Sequence, residues 1–151
     1  MDRTELLKKC TEHTDAKIGG FFKDYRFLSN FHIAEVEYEG EFYNCSENAY
    51  QAAKTLDLKV RKEFLNITPS EGRKKGQNVV LRPFFDQLKV SIMAEIVFDK
   101  FTRHSDLRMK LIDTGAKYLE ETNSYKEYYL ESTYALLLQL GLFQVIKTTL
   151  I

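Results

Sequence analysis

Ser46-Glu47-Asn48-Ala49-Tyr50-Gln51-Ala52-Ala53-Lys54 reads as one short helix, and the rest of the chain is arranged around it. Ser46 suits the N-cap, where its hydroxyl can accept from an unpaired amide of the first turn. Glu47, Tyr50, Gln51 and Lys54 follow at i, i+3, i+4 and i+7, so at roughly 100° per residue they share one face. Ala49, Ala52 and Ala53 form the back, which can approach a neighbouring backbone closely. The front carries a carboxylate, a phenol, an amide and an ammonium, the kinds of group that acid/base chemistry requires. A solvated Glu–Lys stripe is the bland alternative. Glu47 and Lys54 are too far apart for i, i+4 pairing, which weakens that alternative slightly.

The chain has 151 residues, enough for one compact domain with a core and too few for two. Its hydrophobic content of 44% marks a folded globular protein. Lys plus Arg equals Asp plus Glu, 22 of each, so net charge gives no bulk attraction to nucleic acid or membrane. Cys10 and Cys45 sit in no CxxC or His-rich setting, which suggests reduced thiols in a cytoplasmic protein. No run approaches the length of a membrane span, and no metal-ligand cluster or cofactor-binding motif is seen. Any chemistry the chain carries out is therefore expected to be metal-independent and to need no cofactor. Oligomeric state is not legible.

On the N-terminal side, residues 1–20 read as a helical arm, with Asp2 to Thr14 helical and Gly19-Gly20 ending it. Phe21 to Phe31 reads FFKDYRFLSNF, with Phe or Tyr at five of eleven positions. It suggests an aromatic wall with the polar groups of Ser29 and Asn30 beside it, as a base or ribose pocket would use; ordinary core is the alternative for most of these rings. His32 to Tyr43 reads as a β-hairpin: Val36, Tyr38 and Phe42 alternate with glutamates and Gly40 supplies the turn.

On the C-terminal side, Leu56 to Asn66 is mixed helical. Thr68-Pro69-Ser70-Glu71 is a capped helix start, and that helix carries Arg73, Lys74 and Lys75 before stopping at Gly76. The three cations suit a phosphate or a solvated turn equally. Pro83 opens the longest helix, to about Arg103, with Phe85, Leu88, Ile92, Met93, Ile96 and Val97 as its core face. Ser105 caps a helix over Leu107 to Asp113, Ala116 to Glu121 is expected to be helical, and a last apolar helix runs from about Ser132 to Lys147. The expected fold is α+β, mainly helical, a single compact domain over residues 1–151 with one β-hairpin and no parallel sheet.

The order of these pieces resembles the NADAR family, domains associated with NAD and ADP-ribose metabolism. Tyr25-Arg26-Phe27-Leu28-Ser29-Asn30-Phe31 is similar to its YxFLSNF signature. Gly40, Tyr43 and Ser46 to Lys54 are similar to its G–Y–SEHxxQAxK element, with Asn48 where the family usually has His. Arg82-Pro83, Phe85 to Lys89 and Met93 resemble its RPDWxxxK–M helix, with Phe85 at the usual Trp. Glu121 matches a later family Glu. Lys126, Tyr129 and Leu130 depart from its YDxxWG segment, and the N-x-LG element before Leu140-Gly141 is degenerate.

The resemblance implies an N-glycosidase that hydrolyses a ribose–base C–N bond. The leading reading is removal of ADP-ribose from modified guanine bases, the reversal of DNA ADP-ribosylation, with nucleic acid met transiently. The second is cleavage of a phosphoribosylamino-pyrimidine riboflavin intermediate, and the third a catalytically dead ADP-ribose or nucleotide binder. The partner is thus an ADP-ribosylated nucleobase or a phosphoribosylated small molecule. Glu47 and Lys54 are the implied catalytic pair, Lys54 either binding phosphate or holding the opened sugar as an imine. Arg26, Phe27, Ser29, Asn30, Tyr43, Gln51, Arg82 and Glu121 are the implied substrate-binding residues, with no metal ligand.

Overall fold

The computed structural model describes residues 2–120 and 142–151. Glu121, Lys126, Tyr129 and Leu130, and the expected start of the last helix at Ser132, lie outside the described residues. The fold is α+β and mainly helical, as expected, and the described residues form two compact units.

The first unit takes residues 2–28, 104–120 and 142–151. Helix α1 (Arg3–Thr11) opens with a capping box between Asp2 and Glu5 and stops at Thr11, shorter than the expected arm. The chain then forms β1 (Lys17–Gly19), which pairs in parallel with β4 (Tyr118–Glu120). This corrects two expectations, the absence of a parallel sheet and a helix over Ala116 to Glu121. Two three-residue strands are too short to show a period, and their partners lie about a hundred residues apart, so no βαβ unit betrays them. Lys23–Leu28 forms a 3-10 turn that buries Phe27 and Leu28 while Phe22 stays exposed. Helix α6 (Ser105–Asp113) has His104, not Ser105, at its N-cap, and α7 (Leu142–Leu150) packs against α1 and α6.

The second unit is Ser29–Arg103. Strands β2 (Ile33–Tyr38) and β3 (Glu41–Cys45) form the expected hairpin. Glu39 and Gly40 both have positive φ (46° and 88°), as a two-residue turn between twisted strands requires. That turn shifts the parity: Tyr43 and Cys45 face inward with Val36 and Tyr38, while Phe42 is exposed under the guanidinium of Arg103 at 5.2 Å. Helix α2 (Ser46–Ala53) follows directly, then α3 (Leu58–Lys62), α4 (Pro69–Gly76) and α5 (Phe85–Arg103). The capping box of Thr68 and Glu71 and Pro69 at the first position are as expected. Phe85, Ile92, Met93, Ile96 and Val97 of α5 are buried, but Leu88 is exposed.

Helix α2 is the centre of this unit. It packs on β2, β3, α4 and α5, and all eight of its residues are buried. Small side chains make this feasible: Ala49, Ala52 and Ala53 have no accessible surface. Against α4 the fit depends on two glycines one turn apart. A Cβ on Gly72 would lie 1.8 Å from Asn48 Oδ1, and one on Gly76 would lie 1.9 Å from Gln51 Oε1. Asn48 is therefore a packing residue whose amide nitrogen donates to Asn44 Oδ1 (2.9 Å) and to the Ile67 carbonyl (2.7 Å).

No described helix is long and apolar enough to cross a membrane. Cys10 and Cys45 are free and buried.

Candidate active site

The cap of α2 differs from expectation. Cys45 holds the N-cap position without a side-chain bond, and Ser46 is the first helical residue. An amide of the first turn is met by backbone instead: Glu47 N–H donates to the Asn30 carbonyl at 3.0 Å. The turn that offers this carbonyl is fixed from two sides. Ser29 Oγ accepts from Phe31 N–H (3.1 Å), and the buried Lys100 ammonium donates to the Ser29 carbonyl (3.0 Å). The Asn30 side chain is itself buried, with its amide nitrogen 3.5 Å from Met93 Sδ and its Oδ1 without a hydrogen-bond partner among the described residues. Ser29 and Asn30 thus adjoin the start of α2.

The front of α2 holds the charges. Glu47 is 7% exposed, and its Oε1 accepts from Gln51 Nε2 at 2.9 Å. Burial pushes its carboxyl above the ordinary carboxylate range, and the Gln51 amide and the Arg73 and Lys54 charges only partly oppose this. Lys54 is at the C-cap, its Nζ 5.8 Å from the centre of the Tyr50 ring. Burial lowers its pKa; the Glu47 charge opposes that shift and the Arg73 charge adds to it. Arg73 of α4 faces this pair and sits 5.7 Å over the Phe31 ring. Tyr50 packs against Phe85, ring centres 6.0 Å apart.

Two arginines secure the Lys54 end. The last carbonyls of a helix lack partners within it, and here Arg82 N–H donates to the Lys54 carbonyl (2.6 Å) while Arg82 Nη1 reaches the Ala53 carbonyl (3.4 Å). Arg61 Nε donates to the Thr55 carbonyl at 2.7 Å. Glu39 holds both arginines, 2.7 Å from Arg61 Nη1 and 3.8 Å from Arg82 Nη1, and Tyr38 Oη accepts from Arg82 (3.2 Å). Burial works against ionisation of Glu39, but the bonds from Arg61 and Tyr38 outweigh it and its pKa is lowered.

The residues expected to bind substrate therefore separate. Gln51, Ser29 and Asn30 gather at α2 with Glu47 and Lys54. Arg82 is occupied with the helix end. Tyr43 is fully buried, pushed up to about 12 mainly by burial, and its charged neighbours are Arg61, Glu41 and Glu39 rather than the Glu47–Lys54 face. Arg26 and Phe27 belong to the other unit, where Arg26 is exposed and Phe27 is buried under the Lys110 ammonium at 5.8 Å. Glu121 lies outside the described residues. The basic cluster also divides: Arg73 meets the site, Lys75 pairs with Glu63 at 2.8 Å, and Lys74 is exposed. Tyr50 was legible from its i+3 spacing. Phe31 stood in the expected aromatic wall and in the YxFLSNF segment without being named as a binding residue, and nothing in the sequence around Lys100 pointed to its bond with the Ser29 carbonyl. Among the described residues, no three His, Cys, Asp or Glu side chains gather as a metal ion would require.

The NADAR domain model matches residues 13–129. The chain belongs to the NADAR family. N-glycosidase YbiA of Shigella flexneri serotype 5b (strain 8401) is 32% identical to this NADAR chain over 126 residues, 81% of this chain and 79% of that protein. Riboflavin biosynthesis protein VVA0006 of Vibrio vulnificus (strain YJ016) is 26% identical over 111 residues, 71% of this chain but only 30% of the longer relative. The NMR structure of the E. coli protein YbiA superposes with a TM-score of 0.77 at 24% identity, covering 95% of this chain and 92% of that one. That likeness carries the fold.

Proposed function

We propose that this NADAR protein is an N-glycosidase that hydrolyses the C–N bond between a ribose and a planar base. The observation that carries the reading is the buried Glu47, hydrogen-bonded to Gln51 and faced by Lys54 and Arg73. When the C1′–N bond breaks, its electron pair leaves with the base nitrogen and positive charge builds on the sugar. A site needs a proton for the nitrogen and a group to meet C1′.

The shifted groups suit those tasks. A carboxyl whose pKa is raised by burial keeps its proton more readily, which suits Glu47 to protonate the departing nitrogen. An ammonium whose pKa is lowered more readily becomes an amine, so Lys54 bonds to C1′ and holds the opened sugar as an imine until water releases it. Arg73, whose planar guanidinium matches phosphate geometry, is the phosphate ligand. Water's hydroxyl ends on C1′ and its proton restores Glu47. The names of relatives support the N-glycosidase reading.

The leading substrate is an ADP-ribosylated guanine in nucleic acid, with reaction amounting to reversal of DNA ADP-ribosylation. A phosphoribosylamino-pyrimidine of riboflavin synthesis is the second reading, favoured by the relative named for riboflavin biosynthesis. Incubation with both substrates beside a Glu47→Gln control separates them by which base is released. Release of neither, with nucleotide binding retained, would leave a catalytically dead binder.

A further inference from the structure

Phe84 is placed against three local preferences at once. It immediately precedes α5, and its carbonyl accepts from Gln87 and Leu88 (3.1 Å each), so it holds the N-cap position. N-caps favour Asn, Asp, Ser and Thr, and phenylalanine offers no capping oxygen. Its φ is 60°, in the left-handed region that a Cβ-bearing aromatic rarely enters. The residue is 75% exposed. Neither the helix nor the core gains from a phenylalanine here. Asparagine would serve the fold better on all three counts.

Its position gives the ring a use. Arg82 N–H is bonded to the Lys54 carbonyl at 2.6 Å, and two peptide units, about 7.6 Å of chain, separate Arg82 from Phe84. On its other side Phe85 packs on Tyr50, whose ring lies below Lys54 Nζ. Phe84 is therefore pinned to the Lys54 end of the polar face. The other rings of this face are engaged: Phe31 by Arg73, Tyr50 by Lys54 and Phe85. A substrate whose sugar and phosphate meet Glu47, Lys54 and Arg73 still needs a flat apolar surface for its base.

We infer that the exposed ring of Phe84 is the platform on which the planar leaving base stacks, and so a specificity-determining residue of the site. The inference rests on the N-glycosidase reading for the identity of its ligand. Stacking is the chemistry shared by a guanine in a strand and a free aminopyrimidine, and the larger guanine offers more surface to it.

Two variants test it. Phe84→Asn removes the ring while easing the backbone and capping α5, so Tm should rise while KM for base release rises about tenfold, within the usual range of base–aromatic stacking. The chain has no tryptophan, so Phe84→Trp carries its sole indole. Titration with guanosine 5′-monophosphate and with uridine 5′-monophosphate should quench that fluorescence saturably, more strongly for the base of the true substrate. An unchanged KM in Phe84→Asn, or no saturable quenching by either nucleotide, overturns the inference. So does a dimer that Phe84→Asn dissociates without changing KM. Saturable quenching in a protein that releases no base would uphold the stacking site and count against the N-glycosidase reading instead.

Discussion

Replacing Glu47 by glutamine should stabilise the fold as it removes the chemistry. The two side chains have nearly the same shape, and glutamine's carbonyl oxygen can still accept the Gln51 bond now 2.9 Å long. What disappears is a buried carboxyl that can ionise. Its loss relieves desolvation but deprives Lys54 and Arg73 of a partner. The direction of the Glu47 shift decides between these effects: its pKa is raised, so burial outweighs the cations and the ionised form is net unfavourable in the fold. Because the folded pKa lies above the unfolded 4.5, stability from the protonated form is complete below that pH and is lost as pH rises through the folded pKa. Glutamine escapes that loss. We expect a gain of about 1 kcal/mol at neutral pH, within the range for relieving a functional site, or about 3 °C in Tm for a chain of this size. Thermal unfolding of both proteins at a series of pH values should give coincident Tm near pH 4 and a gap that opens above it. Base release should fall by roughly 10²–10⁴-fold. A variant less stable than wild type at neutral pH, or a gap independent of pH, would refute the reasoning.

Other consequences follow from single contacts. Gly76→Ala puts a methyl 1.9 Å from Gln51 Oε1, so it should cost about 1–3 kcal/mol in urea unfolding and lower kcat by displacing the Gln51 partner of Glu47. Arg73→Ala should raise KM about 10–100-fold, as loss of a charged hydrogen bond does, and flatten its salt dependence, whereas Lys74→Ala at the exposed neighbour should leave both unchanged. Burial pushes the Cys45 thiol up to about 11, so iodoacetamide at pH 8 should leave it unmodified in the native protein and label it only after unfolding, as peptide mass spectrometry would show.

The helix at Ser46 to Lys54 was legible because its polar and alanine faces obey one period, and the capping box at Thr68 was legible because it is wholly local. The parallel pairing of Lys17–Gly19 with Tyr118–Glu120 was not, since it is made by backbone between distant three-residue segments. Phe42 was misassigned because the two-residue turn at Glu39-Gly40 reverses which positions face inward. In the candidate site, Glu47, Gln51 and Lys54 could be placed together by helical spacing alone. Arg73 could be named as a cation but not separated from Lys74 and Lys75, because only the packing of α4 on α2 selects which one faces Glu47. Tyr43 and Arg82 carry motif positions, yet tertiary contacts commit one to the core and the other to the helix end.

The most direct test is to quench the reacting protein with borohydride and map the adduct by mass spectrometry. An imine at C1′ would be reduced to a stable amine on the residue that held the sugar. The account predicts a ribose-derived mass on Lys54 in wild type, and neither adduct nor free base in Lys54→Arg. Release of base by Lys54→Arg at the wild-type rate, or an adduct on another lysine, would contradict it.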